Sequence, residues 1–468
     1  MSLFARPGMG RGVSPRTVLC AALVALVTGA CTGARPTHEP EPPPNILLVI
    51  TDDQRVGTLR VMPATRRWFK QGGTSFTQAF ATTPQCCPSR ASIFSGQYAH
   101  NHGVLTNDDA SELDSSSLFT RALRGEGYTT AIVGKYLNYP GGFNNQANVS
   151  IDPPHFDDWA SFLGGYDDSL FNVGGKLRAA DYSTTFIKQQ AVDALRGFEA
   201  AESRPWFLVV APFAPHPHYE PQPKYEDAPV PRWSPSPASR ERNRADKPPF
   251  VRLGSPLPLS RAQKIRGEQL RTLMSVDDLV ERVARSLGKL GEKRRTLALF
   301  VSDNGFSWGE HGLEGKGTAY TESVRIPLLM SWPGHVGGGA VDDRLVANID
   351  LPATILDAGG IVPPEYLNLD GFSLLSDQRR QRLLLEHWGL EEDGLSSWAS
   401  IRTKRAQLVE YYGEDGNVET WEYYDLAADP WQLTNLLGNH GRAGDIPEAQ
   451  ALAEQLAKDR RCAGESCP

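Results

Sequence analysis

Three continuous apolar runs stand out along the chain, and each of them leads to polar residues. The runs occupy residues 45–50, 206–210 and 296–301. Uninterrupted apolar runs of this length are typical of strands buried on both faces of a parallel sheet. They lead to Asp52 and Asp53, to His216, and to Asp303 and Asn304. Because ligand sites in open α/β sheets lie beyond the carboxyl ends of the strands, the pattern predicts a functional site there.

Helical periodicity is clearest between residues 262 and 290. Apolar residues recur at every third or fourth position from Leu270 onward, which predicts a long helix with one buried face. Residues 181–198 show the same pattern more weakly. Residues 220–249 are rich in proline and charge and have no periodicity, so we interpret them as a long surface excursion near the mouth of the site.

The pattern changes after about residue 380, where short alternating segments replace the long apolar runs. Four short strands are predicted at residues 383–387, 398–402, 406–412 and 421–426. Residues 413–416 form a hairpin signal, and residues 447–458 predict a closing helix. We therefore expect a small antiparallel sheet with a helix. Cys462 and Cys467 are predicted to form a disulfide in an oxidising compartment, and two unpaired thiols are the alternative.

The first 30 residues have the pattern of a targeting segment. Three arginines precede an apolar run at residues 18–27, which is too short to span a bilayer as a stable helix. Small residues then precede Cys31, as in a bacterial lipoprotein cleavage site, and a proline-rich tether follows at residues 31–44. We expect an exported protein, either a bacterial cell-surface lipoprotein held to the membrane by a lipid on Cys31 or a secreted protein. An uncleaved anchor is the third alternative.

Composition narrows the class of protein. The chain has 468 residues, which suits a large domain with an appendage, and we expect a catalytic domain at residues 45–380 and a small α+β subdomain at 381–468. The net charge is −7, and it becomes −10 once the three arginines of the first 30 residues are removed. A nucleic-acid partner recognised through bulk charge is therefore excluded. Six cysteines are too few for a disulfide scaffold of this size.

Two of the six cysteines are adjacent, in the run Cys86-Cys87-Pro88-Ser89-Arg90. Vicinal cysteines are a poor disulfide pair, and they lack the spacing that zinc chelation needs. The residues alone leave two interpretations open. One cysteine is a nucleophile with a histidine partner, or both are small buried apolar side chains.

The C-x-P-S-R run resembles the signature of the sulfatase family, in which the first cysteine is converted to formylglycine. Further motifs in the family's order cover roughly residues 44–440, so the resemblance extends over most of the chain. They are residues 51–54 (TDDQ), 100–104 (HNHGV), 134–138 (GKYLN), 214–216 (APH), 302–305 (SDNG), 325–329 (RIPLL) and 424–430 (YDLAADP).

This resemblance implies a fold and a set of site residues. The fold would be α/β and alkaline-phosphatase-like, with a large mixed β-sheet sandwiched by helices and a small C-terminal antiparallel sheet. Cys86 would be converted by a formylglycine-generating enzyme. One divalent cation, calcium or alternatively magnesium, would be bound by an all-oxygen shell. Its ligands would be Asp52, Asp53, the modified Cys86, Asp303 and Asn304.

The resemblance also assigns the catalytic cations. Arg90 would orient the formylglycine, and Lys135, His216 and Lys316 would bind the sulfate. His216 or Lys316 would donate a proton to the leaving oxygen. A hydrated aldehyde offers one hydroxyl to attack sulfur and a second to release sulfate, and a serine lacks that second hydroxyl.

One departure from the family pattern concerns an auxiliary histidine. Many sulfatases carry a histidine shortly after the lysine that corresponds to Lys135, but Tyr136, Leu137 and Asn138 stand here. The auxiliary role would pass to Asn138 or His102. His218 is a candidate substrate contact.

The motif variant most resembles the N-acetylglucosamine-6-sulfatase branch. We therefore expect hydrolysis of a sulfate ester on a carbohydrate, with 6-O-sulfated N-acetylglucosamine of a glycosaminoglycan as the preferred substrate. A formylglycine-dependent phosphonate monoester or phosphodiester hydrolase is the alternative enzyme. A non-catalytic carbohydrate-binding surface protein is the alternative from a different class.

Overall fold

The computed structural model describes residues 42–138, 152–200, 204–389 and 394–468. Residues Pro43–Pro468 form one compact unit. The predicted signal segment at residues 1–30, Cys31 and most of the 31–44 tether lie outside the described residues, so those interpretations stay predictions. None of the described helices is long and apolar enough to cross a membrane.

Strands make up three sheets. The strands are β1 (Asn45–Thr51), β2 (Thr74–Phe80), β3 (Thr129–Gly134), β4 (Asp158–Gly164), β5 (Asp167–Val173), β6 (Lys176–Tyr182), β7 (Trp206–Ala211), β8 (Thr296–Ser302), β9 (Ser307–Trp308), β10 (Glu314–Gly315), β11 (Leu328–Ser331), β12 (Ala340–Ala347), β13 (Leu383–His387), β14 (Ser397–Arg402), β15 (Ala406–Tyr412) and β16 (Val418–Asp425).

Helices of very different length connect the strands, together with short 3-10 and π segments. The α-helices are α1 (Pro63–Thr65), α2 (Cys86–Ser95), α3 (Ala99–His102), α4 (Phe119–Gly125), α5 (Ser183–Ala200), α6 (Pro249–Arg252), α7 (Leu259–Leu290), α8 (Thr321–Val324), α9 (Asp350–Ala358) and α10 (Pro447–Asp459). The predicted long helix is therefore confirmed as α7 and the weaker one as α5.

The large sheet has ten strands in the order β12-β2-β11-β8-β1-β7-β3-β4-β5-β6. The three apolar runs form β8, β1 and β7, which are neighbours and mutually parallel. Strand β11 runs antiparallel to both of its neighbours, and β4, β5 and β6 form an antiparallel extension at one edge. The predicted large mixed sheet is confirmed.

Both faces of the large sheet are buried, as the unbroken apolar runs require. Along β1, Ile46, Leu48 and Ile50 join one hydrophobic cluster, whereas Leu47 and Val49 join the other. This alternation follows from the two-residue period of a strand. The first cluster also takes side chains of α2, α4 and α9, and the second takes those of α5 and α7. Two helical layers therefore fix the strand ends that carry the site.

The C-terminal residues form the expected small antiparallel sheet, in the order β13-β14-β15-β16. Its apolar residues share a hydrophobic cluster with Phe80 and Tyr98, which belong to the larger part of the unit. Helix α10 packs on this sheet, with Leu456 buried. A disulfide joins Cys462 to Cys467 as predicted.

Candidate active site

Polar residues at the carboxyl ends of β1, β7 and β8 meet at one edge of the large sheet. Asp52 and Asp53 follow β1, His216 follows β7, and Asp303 follows β8. Ligand atoms of Asp52, Asp53, Cys86 and His216 lie within 4.8 Å of one another. The three strand ends therefore meet in space, since Asp303 also contacts Asp53, and their role as a functional site stays a prediction.

Cys86 is the first residue of helix α2, so its side chain lies at the positive end of that helix. The Sγ atom donates to Oδ1 of Asp52 at 3.3 Å and lies 2.6 Å from Nζ of Lys316. Burial raises the pKa of the Cys86 thiol, and the Asp52 carboxylate raises it further. The ammonium groups of Lys135 and Lys316 oppose this rise in the pKa.

Arg90 lies one turn further along α2 and is fully buried. Its Nε donates to Oδ2 of Asp303 at 2.8 Å, and Nη1 donates to the carbonyl oxygen of Lys135 at 2.6 Å. Its Nη2 lies 3.6 Å from Oδ2 of Asp52. One guanidinium thus ties together the segments that carry two carboxylates and a lysine, which the planar donor fork of arginine suits.

Lys135 enters the site directly after β3. Its Nζ donates to Oδ2 of Asp52 at 2.6 Å, and its side chain is buried. Gly134 precedes it with φ +108, and a Cβ there would come within 2.0 Å of the carbonyl oxygen of Ala211. Only glycine allows β3 to turn this closely against β7, and that turn directs Lys135 toward Asp52.

Asp53 adopts a left-handed backbone conformation, φ 65, which is uncommon for a residue other than glycine. Its backbone N–H donates to Oδ1 of Asp303 at 3.1 Å, and its Oδ1 accepts from Nδ2 of Asn304 at 2.6 Å. Lys316 Nζ contacts Oδ1 of Asp53 and lies 3.5 Å from Oδ1 of Asn304. The strained backbone is therefore held by side chains from the segments directly after β8 and β10.

Oxygen atoms suited to a hard cation converge at this point. Oδ2 of Asp53 is buried and makes no hydrogen bond to any described residue. A buried carboxylate oxygen with an unused lone pair is a ligand that calcium or magnesium prefers. The ammonium of Lys316 lies among Asp53, Cys86 and Asn304, three of the predicted ligands. The residues present therefore fit a divalent cation.

Three buried carboxylates face three buried or half-buried cations. The carboxylates are those of Asp52, Asp53 and Asp303, and the cations are those of Arg90, Lys135 and Lys316. Burial by itself raises the pKa of the Asp52 carboxyl, but Lys135, His216 and Arg90 outweigh it and hold that pKa well below its usual range. Burial raises the pKa of Asp303, and repulsion from Asp52 adds to the rise.

His216 approaches from the loop after β7. Its Nε2 lies 4.0 Å from Oδ2 of Asp53, and its ring stacks on Phe213 at 4.6 Å between centroids. Its backbone carbonyl accepts from the hydroxyl of Tyr166 at 2.8 Å. Burial lowers the pKa of His216 to about 4, although Asp52 and Asp53 oppose the shift. Burial thus favours the neutral ring, whereas the two carboxylates favour a ring that carries a proton.

Asp303 differs from Asp53 in that both of its carboxylate oxygens accept hydrogen bonds from the protein. Its Oδ1 accepts the backbone N–H groups of Asp53 and Asn304, and its Oδ2 accepts from Arg90. Both oxygens are therefore engaged within the protein. The compact donor cluster contains His216 instead of Asp303, so the five-residue ligand set expected from the family stays a prediction.

The two candidates for the auxiliary role lie elsewhere. His102 is buried, its Nε2 lies 3.0 Å from Oγ of Ser92, and its Nδ1 accepts from the backbone of Val104. It therefore braces α2 from behind and is not directed at Cys86. Asn138 comes close to Cys87, whose thiol interacts with its backbone. His218 is exposed at the outer end of the His216 loop.

One group near the site was missed by reasoning from the sequence. Arg55 lies two residues after Asp53, forms an ion pair with Glu310 at 3.2 Å and places its guanidinium 4.2 Å above the ring of Trp308. Trp308 itself follows Asn304 by four residues. The only available signal was the position of these residues directly beside the two metal-ligand motifs.

Two protein-family models match this chain. A family model described as Sulfatase matches residues 44–361, more than half of the chain. The chain belongs to the sulfatase family. A second model, described as N-sulphoglucosamine sulphohydrolase, C-terminal, matches residues 309–461 of this sulfatase. The protein is therefore a sulfuric ester hydrolase, and the resemblance of the C-x-P-S-R run to the sulfatase family is confirmed.

Relatives with curated names agree with this assignment. The sulfatase is 30% identical to an N-acetylglucosamine-6-sulfatase of Homo sapiens, over 98% of this chain and 93% of the relative. It is 34% identical to an extracellular sulfatase SULF-1 homolog of Drosophila melanogaster, over 78% of this chain. The chain spans only about a third of that relative's length, 34%.

Solved structures share the fold. One, a complex with its substrate D-glucosamine-2-N,6-O-disulfate, has a TM-score of 0.74 and 23% identity, and the match covers 89% of this sulfatase and 97% of that chain. A phosphonate monoester hydrolase of Agrobacterium radiobacter has a TM-score of 0.67 and 22% identity, covering 89% and 94%. These similarities confirm the alkaline-phosphatase-like architecture.

Proposed function

We propose that this sulfatase hydrolyses the 6-O-sulfate of N-acetylglucosamine units in a glycosaminoglycan-type carbohydrate, using formylglycine made from Cys86 and one bound divalent cation. The observation that carries the proposal is the meeting of Cys86 with Asp52 and Lys316 at the first turn of α2. The substrate is inferred from the human N-acetylglucosamine-6-sulfatase that matches the chain along nearly its whole length.

The cation is proposed to be calcium, held by Asp52, Asp53, Asp303, Asn304 and the modified residue 86. The unused Oδ2 of Asp53 supports this assignment. A bound divalent ion supplies positive charge that polarises a sulfuryl oxygen. Asp303 also supports the cation site by position, because it accepts hydrogen bonds from the backbone of Asp53 and from the side chain of Arg90.

Residue 86, once converted to formylglycine and hydrated, would supply one hydroxyl that attacks sulfur while the sulfur–oxygen bond to the sugar breaks. Its second hydroxyl would lose its proton as the carbon–oxygen bond to sulfate breaks, which restores the aldehyde. Lys316 contacts residue 86, and Lys135 contacts Asp52, which itself accepts from residue 86. Both ammonium groups therefore lie close enough to bind sulfuryl oxygens as charge moves onto them. Arg90 holds Asp52 and the Lys135 segment in place. His216 or Lys316 gives a proton to the departing sugar oxygen, since both reach Asp53 and face the same space.

A formylglycine-dependent phosphonate monoester hydrolase is the second candidate function. The phosphonate monoester hydrolase of Agrobacterium radiobacter shares the fold at a TM-score of 0.67. Sulfate monoesters and phosphonate monoesters place similar tetrahedral oxyanions on the reacting group, so buried cations serve both. Turnover of para-nitrophenyl sulfate and para-nitrophenyl phenylphosphonate, compared as kcat/KM, separates the two functions.

Export is proposed from two observations. Two relatives carry the words extracellular sulfatase in their names, and the Cys462–Cys467 disulfide suits an oxidising compartment. We further propose that a lipid on Cys31 holds the mature protein at a bacterial cell surface. Metabolic labelling with a tagged fatty acid tests this, and a Cys31→Ala variant is the control.

The deciding experiment is mass spectrometry of the peptide that contains residue 86, after co-expression with a formylglycine-generating enzyme. Conversion of Cys86 to formylglycine, together with release of sulfate from N-acetylglucosamine 6-sulfate, is the expected result. A protein that carries unmodified Cys86 and retains full turnover would contradict the mechanism. Release of sulfate from a different sulfated sugar alone would contradict the substrate and leave the mechanism standing.

A further inference from the structure

A groove of about 770 Å³ lies between the segment at residues 230–233 and the N-terminal part of α7. It is outside the cluster of proposed catalytic residues. We call it the α7 groove, and its lining residues are Val230, Pro231, Arg232, Trp233, Ser260, Gln263, Lys264, Arg266, Gly267, Glu268 and Arg271.

The lining of the α7 groove is strongly basic. It contains four cationic side chains and a single acidic one. The acid, Glu268, lies 3.7 Å from Lys264 and neutralises that lysine. Arg232, Arg266 and Arg271 form no ion pair with any described residue. The chain as a whole carries −7, so this local excess of positive charge runs against the overall balance and marks a place for an anion.

Arg266 is a buried cation in the lining of the α7 groove. Its side chain is buried, with 7% of the residue exposed, and its Nη2 donates to the carbonyl oxygen of Pro231 at 2.8 Å. Burial lowers the pKa of Arg266, and the nearby cations Arg60 and Arg55 lower it further. A buried cation beside other cations is costly unless an anion joins it.

A series of side-chain contacts through Trp308 links the lining of the α7 groove to the active-site loop. The guanidinium of Arg266 lies 5.7 Å from the centroid of that ring, and the guanidinium of Arg55 lies 4.2 Å from it. Nε1 of Trp308 donates to Gln269 at 2.6 Å, and Nε2 of Gln269 donates to the carbonyl oxygen of Pro215 at 3.3 Å. Pro215 directly precedes His216, so these contacts connect Arg266 of the groove with the loop that carries the proposed proton donor.

An aromatic side chain adds a surface for a sugar ring. Trp233 is half-buried in the lining of the α7 groove and packs in one cluster with Phe306, Trp308 and Tyr219. An indole with an exposed edge offers apolar area together with a polar N–H. Arginines bind planar and tetrahedral oxyanions through several parallel N–H groups. Together these groups suit a sugar that carries sulfate or carboxylate.

We propose that the α7 groove binds an anionic sugar unit adjacent to the unit that carries the reacting sulfate, so that the substrate is a sulfated oligosaccharide chain. This inference rests on the proposed function, because the ligand of the groove is taken to be part of the sulfated carbohydrate substrate. Its binding test does not depend on turnover.

The test is calorimetric binding of a heparin tetrasaccharide and of N-acetylglucosamine 6-sulfate to full-length protein carrying Cys86→Ala, which prevents turnover. The groove variant adds Arg232→Ser and Arg271→Ser. The matched control adds Arg282→Ser and Lys289→Ser, which remove the same charge from exposed positions further along α7. We expect the groove variant to bind the tetrasaccharide about tenfold or more weakly, with monosaccharide binding unchanged.

Three outcomes would overturn the proposal. In the first, the groove and control variants lose the same affinity for the tetrasaccharide. In the second, the groove variant loses the same affinity for the tetrasaccharide and for the monosaccharide, and in the third a DNA oligonucleotide of the same charge binds equally tightly through the groove. A Trp233→Ala variant is expected to bind the tetrasaccharide more weakly. Unchanged affinity of this variant would contradict stacking of a sugar ring on Trp233. A protein that binds the tetrasaccharide through the groove and hydrolyses no sulfate ester would contradict the proposed function and leave the groove standing.

Discussion

The ammonium nitrogen of Lys316 lies 2.6 Å from the sulfur of Cys86, although 230 residues of chain separate the two. Lys316 follows the short hairpin of β9 and β10, which leads away from the end of β8. The same nitrogen contacts Asp53. The hairpin therefore delivers a cation to the point where a carboxylate and the modifiable cysteine meet.

Replacement of this lysine tests its role in binding the sulfuryl group. We expect Lys316→Ala to lower kcat for para-nitrophenyl sulfate by about 100-fold or more, because a preorganised charge at the reacting oxygens is lost. Lys316→Arg restores only part of the rate, since its planar fork places charge differently. Lys176→Ala, at an exposed position of β6, is the control. Full activity of Lys316→Ala would remove this residue from the mechanism.

Arg90→Lys is expected to be damaging even though it keeps the charge. The fully buried guanidinium reaches Asp303, Asp52 and the Lys135 carbonyl. A lysine has a single nitrogen and does not reach all three partners. Leaving buried partners unsatisfied costs about 3 kcal/mol or more of unfolding free energy. Urea denaturation measures it, with Arg178→Lys on exposed β6 as the control. If Arg90→Lys were as stable as Arg178→Lys, the contacts of Arg90 would not hold these segments together.

Much of this site could be predicted because its residues follow local signals. Asp52, His216 and Asp303 each come after an unbroken apolar run, and parallel neighbouring strands bring such ends together. Cys86 and Arg90 belong to one contiguous motif. These features depend on local sequence and on one rule of sheet topology.

Other features depend on packing that local patterns do not encode. Trp308 brings Arg55 and Arg266 together from different segments. The 220–249 segment contacts α7 through carbonyl oxygens of Pro231 and Ala228 that accept from Arg266 and Arg271, and no periodicity predicts these contacts. His102 was a candidate for a catalytic role, yet its ring faces Ser92 inside the core. A polar residue near a motif in sequence need not point toward the site.

Cys87 is expected to be dispensable for chemistry. Its side chain is buried in the hydrophobic cluster under the large sheet, and burial raises the pKa of its thiol to about 11. Cys87→Ala should retain formylglycine formation and most sulfatase activity, while unfolding free energy falls by about 1 kcal/mol from the lost packing. Mass spectrometry of the residue 86 peptide checks the first point. Loss of conversion in this variant alone would show that Cys87 is part of the recognition motif.

Removal of divalent cations is expected to lower both activity and stability. Asp52, Asp53 and Asp303 are buried close together, so a bound cation offsets their repulsion. Treatment with a chelator should lower Tm, and added calcium should restore it. Asp53→Asn should abolish the response of Tm to calcium, because it removes the charge of the carboxylate with the unused oxygen. An unchanged Tm after complete chelation would contradict a calcium site at these residues.

His102 is expected to make the fold sensitive to acid. Burial lowers its pKa to about 3, so the folded protein keeps the ring neutral where the unfolded chain, with a pKa of about 6.5, takes up a proton. Its contribution to stability is complete above about pH 6.5 and is lost as the pH falls toward the folded-state value. Between about pH 7 and about pH 5 the loss amounts to ~2 kcal/mol of unfolding free energy.

The measurement compares urea denaturation at these two pH values for the parent protein, His102→Phe and Ser92→Ala. His102→Phe should reduce the pH dependence by about 2 kcal/mol, because no titrating ring is buried there. Ser92→Ala removes the hydroxyl 3.0 Å from the ring and leaves the imidazole in place. It should therefore lower stability at both pH values and keep the pH dependence. If the parent and His102→Phe lost equal stability on acidification, protonation of His102 would not be the cause.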